Sequence, residues 1–258
     1  MFAAEVTLLY VLEPSYSGFD VLARPVPDIE EDRRTVASAK LETYLSHDFP
    51  SRKVSRLLVA GEAAAQIAEV ARRDGFDMIV MPTHTGAFRR MLLGSTTAKV
   101  LNDADCMVLT TQHAERIKPR PLLHREWVCA IGLSADSSRV LSIASNLAKT
   151  AGANLTLIHA IPQLQPGLPL QLDLEERLQS KEQKAARAQV HELQRLAGSN
   201  ARAHIAVGQI KAALTETARW LEADALVIGR SSQPGTQGRL RDLTYAVVRD
   251  APCPVISI

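Results

Sequence analysis

The chain repeats part of itself, and this repeat constrains the fold more than any other feature. Gly61–Asp77 is echoed by Gly208–Asp224, at a shift of 147 positions (61 to 208, 77 to 224). Nearer the start the shift is 149, and there Ala4–Leu9 matches Ala153–Ile158. So many matches at nearly one shift indicate two copies of one structural unit. A chain of 258 residues has room for two such domains.

The second copy is complete, and its sequence predicts a five-stranded unit. Short apolar runs predict strands at Trp127–Ile131, Asn154–Ala160, Ala203–Val207, Ala225–Ile228 and Val255–Ile258, with helical patterns between them. Strands that alternate with helices imply parallel pairing, because each crossover needs a helix to return the chain. The predicted fold class is therefore α/β, with a doubly wound parallel sheet.

The first copy matches the second only from its second strand onward. Its strands are predicted at Val6–Leu12, Val54–Ala60, Met78–Met81 and Met107–Thr111. Trp127–Thr150, a strand and a helix, has no counterpart in the first copy. The first strand of such a unit is central, so its neighbours are expected to expose backbone groups and apolar faces. We expect a natural protein that starts further upstream; the alternative is that another chain or segment supplies the strand.

The predicted domains are residues 1–115, N-terminally incomplete, and residues 127–258, complete. A linker over residues 116–126, which contains Pro119 and Pro121, joins them. The net charge of +2 and the 4% of aromatic residues argue against nucleic acid as a partner. No apolar run approaches the roughly 20 residues that span a bilayer. Three cysteines without CxxC spacing indicate a reduced cytoplasmic location, and seven scattered histidines predict no metal site.

Two motifs stand out: Val80–His84 followed by Phe88–Cys106, and the Cys-Pro-Val strand of Cys253–Ile258. Together with the order of the elements, they resemble the universal stress protein family in its tandem form. The resemblance covers nearly the whole chain. It implies two repeated five-stranded units of the adenine-nucleotide α-hydrolase-like fold, the first lacking its first strand and helix. It also implies that the units pair as a pseudo-symmetric dimer through Met107–Thr111 and Val255–Ile258, at sheet edges that invite strand pairing.

The resemblance further implies a nucleotide loop, patterned Gly-x2-Gly-x9-Gly-Ser/Thr in members that bind ATP. Glycines let backbone N–H groups approach phosphate at a helix N-terminus. Gly94-Ser95 keeps the last pair, whereas the first two glycines fall on Met81 and His84. Either the loop is degenerate and Ser95 is only a helix N-cap, or the first unit binds ATP with Mg²⁺. The candidate residues are then Thr83, Gly86, Gly94, Ser95 and Thr96, with Arg89 or Arg90 near the phosphates.

The second unit departs further from the pattern. Gly94 and Ser95 map onto Arg241 and Asp242, and a carboxylate at that place would repel phosphate. The acidic residue expected after the first strand is replaced by Gly132. We expect no ATP in the second unit.

The chain has no nucleophile elbow and no suggestive pair of carboxylates. The predicted function is a cytoplasmic, non-enzymatic stress-response protein that binds or regulates, with a protein as a candidate partner. The alternatives are an ATP-binding switch or slow ATPase that uses the first unit, and a related α/β electron-carrier or nucleotide-pyrophosphate-cleaving domain.

Overall fold

A computed structural model describes residues 3–14, 27–49, 54–83, 93–111, 123–163, 172–230 and 242–258. These residues form two compact units, one within Phe2–Gly75 and the other within Phe76–Ile258. Their boundary falls inside the predicted first domain, and the domain limits of the sequence analysis stay a prediction. Within the ranges given, none of the helices combines the length and the apolar character that crossing a bilayer requires.

The smaller unit is a two-stranded parallel sheet with two helices. It contains β1 (Thr7–Leu12), α1 (Pro27–Thr43), β2 (Ser55–Ala60) and α2 (Ala63–Arg73). Glu62 caps α2, because its carboxylate accepts a hydrogen bond of 2.7 Å from the N–H of Ala65. The buried stripe of α2 is Ala64, Val70 and Ala71, at the spacing of one helix face.

The larger unit is built on a seven-stranded sheet. It contains β3 (Met78–Pro82), α3 (Ser95–Asp103), β4 (Met107–Thr111), β5 (Glu126–Ala130), α4 (Ser137–Ala151), β6 (Asn154–Ile161), α5 (Leu172–Ala197), β7 (Arg202–Val207), α6 (Ile210–Trp220), β8 (Ala225–Ile228), α7 (Asp242–Asp250) and β9 (Val255–Ser257). The strand order is β3-β4-β9-β8-β5-β6-β7, and every neighbouring pair is parallel except β4 and β9. The predicted α/β class is confirmed.

The second copy forms a complete doubly wound unit within this sheet. Helix α4 buries Val140, Leu141, Ala144 and Ala148 in the same core cluster as residues of β5, β6 and β8. The helix ends at Gly152, whose φ of 72° is the left-handed conformation that glycine adopts without strain. Strand β5 begins at Glu126, the last residue of the predicted linker, so its limits lie one residue earlier than expected.

The first copy is divided between the two sheets. Strands β1 and β2 correspond to β6 and β7, whereas β3 and β4 correspond to β8 and β9. In the second copy β5 hydrogen-bonds to both β6 and β8 and so joins the two pairs. Among the described residues of the first copy no strand corresponds to β5; β1–β2 forms its own sheet, and β3–β4 extends the second copy's sheet. The expected exposure is confirmed on β3, where Val80 is 65% exposed.

The two copies meet at β4 and β9, which are antiparallel neighbours. Leu109 lies opposite Ile256, and the Oγ1 of Thr110 donates a hydrogen bond of 3.3 Å to the carbonyl of Val255. The repeat also extends to single hydrogen bonds. The N–H of Thr83 donates to Thr111 at 2.9 Å, and the N–H of Arg230 donates to Ile258 at 2.8 Å. Both donors and both acceptors are related by the shift of 147 positions.

Candidate functional site

The candidate site lies where β3 ends and α3 begins, at the carboxyl end of the strand. The N–H of Gly94 donates a hydrogen bond of 2.8 Å to the carbonyl of Thr83, and the Oγ1 of Thr97 donates one of 2.9 Å to the carbonyl of Pro82. These bonds hold the start of α3 against the end of β3. The two ends of the predicted nucleotide loop are therefore fixed next to each other.

The start of α3 differs from one prediction. Gly94, not Ser95, is the N-cap residue, with φ −59° and ψ 141° and no side-chain capping bond. Its carbonyl accepts the first helical hydrogen bond, 2.9 Å from the N–H of Ala98. The prediction that Ser95 is the N-cap is wrong, because the helix already starts at Ser95. The exposed Ser95 and the half-buried Thr96 lie in the first helical turn, where backbone N–H groups point outward.

The structure brings together four of the predicted candidates: Thr83, Gly94, Ser95 and Thr96. Thr83 is buried, and its Oγ1 lies 3.3 Å from the carbonyl of Thr111, to which it donates. The Thr83 side chain therefore helps to hold the end of β3 against the end of β4. Gly86, Arg89 and Arg90 lie outside the described residues.

In the second copy the residue that corresponds to Thr83 is Arg230, which is 9% exposed. Its guanidinium donates to the carbonyls of Leu101 at 2.7 Å, Ala104 at 3.0 Å and Cys106. These carbonyls belong to the end of α3 and the turn before β4, where a helix lacks internal donors and favours positive charge. The cation therefore faces the backbone of the first copy.

Sequence reasoning missed Arg230. The signal was present in the repeat, because the shift of 147 positions replaces a small hydroxyl residue by a long cation at the end of a buried strand. A charged side chain at such a place must find polar partners. The residues that supply them are distant in sequence and become neighbours only through the β4–β9 pairing.

The corresponding loop of the second copy is described only in part. Helix α7 begins at Asp242, and Arg241 lies outside the described residues. The Tyr245 hydroxyl of α7 accepts a hydrogen bond of 3.3 Å from the N–H of Leu93. The second copy's last helix thus contacts the residue just before Gly94 in the first copy.

After β5, Gly132 stands where the family pattern has an acidic residue, and the space around it is open. A side chain at Gly132 would meet no atom within 4 Å, so packing does not impose glycine there. Nδ1 of His159 lies 2.9 Å from the carbonyl of Ile131, so this imidazole is used in holding the strand end. Asp136 is the N-cap residue of α4 and makes no side-chain capping bond.

The three cysteines are free thiols; Cys129 and Cys253 are buried, and Cys106 is partly exposed. Burial raises the pKa of Cys129 and of Cys253 to about 12, and it also raises the pKa of Cys106. A thiol with a raised pKa is a poor nucleophile and metal ligand at neutral pH. Within the part of the chain that the structure describes, no three His, Cys, Asp or Glu side chains come together as a metal site.

The fold and this loop define a class of protein: an α/β chain with two copies of one repeated unit, in which the candidate loop lies at the carboxyl end of a parallel strand, the end where open α/β sheets bind ligands. The model of the Universal stress protein family matches residues 1–112 and 125–258, so the chain belongs to this stress-response family. The predicted family is confirmed.

Individual relatives agree with this assignment. A curated relative, Universal stress protein A homolog 1 of Coxiella burnetii, is 26% identical over 141 residues, which is 52% of this chain and 96% of that protein. A universal stress protein of Archaeoglobus fulgidus DSM 4304 has a solved structure with a TM-score of 0.65 at 20% identity, covering 98% of this chain and 85% of that one. The solved structure of a functionally unknown protein of Pseudomonas aeruginosa PAO1 has a TM-score of 0.64 at 21% identity. That match covers 99% of this chain and 92% of the other. At these identities the structures show the fold alone.

Proposed function

We propose that this protein is a cytoplasmic, non-enzymatic member of the family that acts as a binding or regulatory module with degenerate nucleotide loops. The observation that carries the proposal is the contact of Arg230, because this cation, the last described residue before the second copy's loop, donates to backbone carbonyls. With Asp242 in place of a serine, that copy offers a phosphate a carboxylate instead of a hydroxyl.

The first copy keeps only a fragment of a phosphate site. The hydroxyl of Thr83 donates to the carbonyl of Thr111, which leaves the first turn of α3 to hold a phosphate, with Ser95 as its exposed hydroxyl. One helix N-terminus attracts an anion only weakly when it is exposed to water. This arrangement supports a loop that has lost most of its nucleotide affinity.

One observation favours the alternative, an ATP-binding switch in the first copy. The hydrogen bond from Gly94 to Thr83 closes the ends of the loop, which is the arrangement a phosphate cradle needs. ATP with Mg²⁺ would then lie against Gly94, Ser95 and Thr96. A slow hydrolysis could follow, so binding and turnover must both be measured.

We further propose that the two copies act as a pseudo-symmetric dimer in one chain. The antiparallel register of β4 and β9 supports this arrangement, as do the duplicated hydrogen bonds of Thr83 and Arg230. The three residues of β9 are buried, and in β4 Val108 and Thr110 are buried while the alternate residues are partly exposed. A regulatory role would therefore depend on the pair and not on either copy alone.

Calorimetric titration with Mg-ATP tests the nucleotide part of the proposal. We expect no saturable heat up to about 1 mM ATP and no phosphate release above the protein-free rate, since a dissociation constant weaker than this corresponds to about 4 kcal/mol of binding free energy or less. The variants are Ser95→Asp and, as a matched control, Gln209→Glu. The control adds the same charge at the exposed N-cap of α6, where the first copy already has Glu62. Micromolar binding that Ser95→Asp abolishes and Gln209→Glu preserves would establish the ATP switch instead.

Genetic complementation tests the regulatory part. A strain that lacks the gene is compared under stress after it receives the wild-type chain or Ser95→Asp. We expect equal survival, because the proposed role does not use a phosphate at α3. Failure of Ser95→Asp, with unchanged circular dichroism and melting temperature, would contradict a nucleotide-independent role.

A further inference from the structure

A cavity of about 400 Å³ lies at the amino ends of β6 and β7 in the second copy. Its walls are the end of α4, the start of β6 and the segment 198–202, which connects α5 to β7. The second copy's candidate loop follows β8 at the opposite, carboxyl end of these parallel strands, and four strands separate β6 from β3. The cavity is therefore separate from both candidate loops. The polar residues that line it are Ser145, Lys149, Asn154, Ser199, Asn200 and Arg202.

Two hydroxyls at the cavity leave one proton without an acceptor. The Oγ of Ser145 donates a hydrogen bond of 3.0 Å to the Oγ of Ser199, and the N–H of Ala201 donates to the same oxygen at 3.4 Å. Ser199 is 8% exposed, and within the described part of the chain its own proton meets no acceptor. Buried hydroxyl groups are normally hydrogen-bonded. The cavity therefore contains a donor that a bound acceptor would satisfy.

Two cations also line the cavity. Lys149 lies in the last turn of α4 and Arg202 begins β7, and both residues are exposed. Neither side chain forms an ion pair with any residue that the structure describes. None of the described lining residues is acidic, and the nearby carboxylate of Glu126 already accepts a hydrogen bond of 2.6 Å from Asn154. The lining thus offers positive charge and hydrogen-bond donors.

The backbone around the cavity is already hydrogen-bonded. At the end of α4 the N–H groups of Gly152 and Ala153 donate to helix carbonyls. In the segment 198–202 the Nε2 of Gln194 donates to the carbonyl of Ala201 at 2.6 Å, and the N–H of Ser199 donates to the carbonyl of Gln194 at 2.9 Å. These bonds hold the walls in place and satisfy carbonyls that a helix end would otherwise leave open.

We propose that this cavity binds a small anion through a phosphate or carboxylate group. Lys149 and Arg202 supply the positive charge, and the hydroxyl of Ser199 donates to one oxygen of the anion. Hydrogen bonds between charged partners are the strong ones, and an arginine can hold such a group with two parallel N–H donors. A volume of about 400 Å³ lies within the range of small-molecule sites. The second copy then has a ligand that does not depend on its degenerate loop.

Amide NMR of the full chain tests the site with three probes: inorganic phosphate, glycerol 3-phosphate and citrate. Each is added up to about 20 mM while sodium chloride keeps the ionic strength constant, and we expect half-saturation below about 5 mM for at least one. The amides of Gly198, Ser199 and Asn200 should shift saturably, whereas those of Ser95 and Thr96 should not. Tighter binding of citrate indicates a carboxylate ligand, and tighter binding of glycerol 3-phosphate indicates a phosphate ester.

Two substitutions and a matched control locate the site. Lys149→Gln and Arg202→Gln each remove one charge from an exposed residue, and we expect each to weaken binding about threefold to tenfold. Lys40→Gln removes an exposed lysine from the same place in α1, its last turn, and should not affect binding. A lysine in the last turn also stabilises the helix itself. Melting temperatures without anion measure that effect, which should be small and similar for the two lysine variants.

Several outcomes would overturn the proposal. The first is no saturable shift with any probe at about 20 mM, a concentration that detects even weak binding. The second is a shift that Lys149→Gln and Arg202→Gln both leave unchanged, or that Lys40→Gln weakens as much as they do. The third is a larger shift at Ser95 and Thr96 than at 198–200, because the anion would then bind at α3 instead.

Discussion

Arg230 is the single residue on which the contact between the copies depends most clearly. It occupies the position of Thr83 in the repeat, but its guanidinium reaches the backbone of the other copy and donates to the carbonyls of Leu101, Ala104 and Cys106. A buried cation is tolerated where it satisfies several acceptors at once. The guanidinium of Arg230 also stabilises the end of α3. It reaches these carbonyls only because β4 lies beside β9.

Removing this side chain should destabilise the larger unit. We expect Arg230→Ala to lower the free energy of unfolding by about 2–4 kcal/mol, because three buried carbonyls lose a charged donor. Arg230→Lys should lose less than Arg230→Ala because it keeps the positive charge, but it should still be less stable than the wild type, since an ammonium cannot reach all three acceptors as the guanidinium fork does. Urea denaturation measures both. The control is Arg195→Ala, whose exposed pair with Glu192 should contribute no more than about 0.5 kcal/mol. An Arg230→Ala variant as stable as this control would contradict the account.

At the scale of elements, Asp250 connects α6 to α7. Its carboxylate lies 2.5 Å from the Nζ of Lys211 in α6 and 2.7 Å from the Nε of Arg249. The hydrogen bond from Arg249, helped by Lys211, holds the pKa of Asp250 well below its usual range. A carboxyl whose folded pKa is depressed stabilises the fold above its unfolded pKa of about 4. That stabilisation is lost as the pH falls toward the folded pKa.

The corresponding prediction concerns acid stability. Asp250→Asn should lower the free energy of unfolding at pH 7, and the difference from the wild type should shrink as the pH falls from about 5 to about 2. Denaturant unfolding at several pH values measures the difference. Lys211→Met should act in the same direction with a smaller effect, because Arg249 still bonds to the carboxylate. Two parallel stability profiles for the wild type and Asp250→Asn would show that the ion pair does not contribute.

Periodicity predicted most elements because local residues decide them. The strand Met107–Thr111 and the strand Ala225–Ile228 have the predicted limits, since short apolar runs bounded by turn residues leave few alternatives. The N-cap of α3 was misplaced by one residue. Glycine and serine are both common N-cap residues, so Gly94 and Ser95 were both candidates. Only the backbone conformation shows that Gly94 is the N-cap.

At the scale of the whole molecule, the sequence predicted the repeat but not how its strands divide. The comparison of the two copies already showed that Trp127–Thr150 has no counterpart in the given sequence of the first copy. That β3 and β4 leave β1 and β2 and continue the other copy's sheet depends on long-range pairing, which no local pattern reports. The contacts of Arg230 were hidden for the same reason. For the candidate loop, the repeat allows a residue to be compared between the copies only where both copies have a described residue, as with Thr83 and Arg230.

The central claim is that β3, α3 and β4 fold with the second copy as one unit, through β4 and β9. The most direct test compares two fragments, Phe76–Ile258 and Leu123–Ile258, by denaturant unfolding and by sedimentation. We predict that Phe76–Ile258 is monomeric and unfolds cooperatively. Leu123–Ile258 should be less stable by about 2 kcal/mol or more, or should self-associate through the bared edge of β9, because burial along β4 and the acceptors of Arg230 are lost. Equal stability and an unchanged monomeric state for Leu123–Ile258 would contradict the claim.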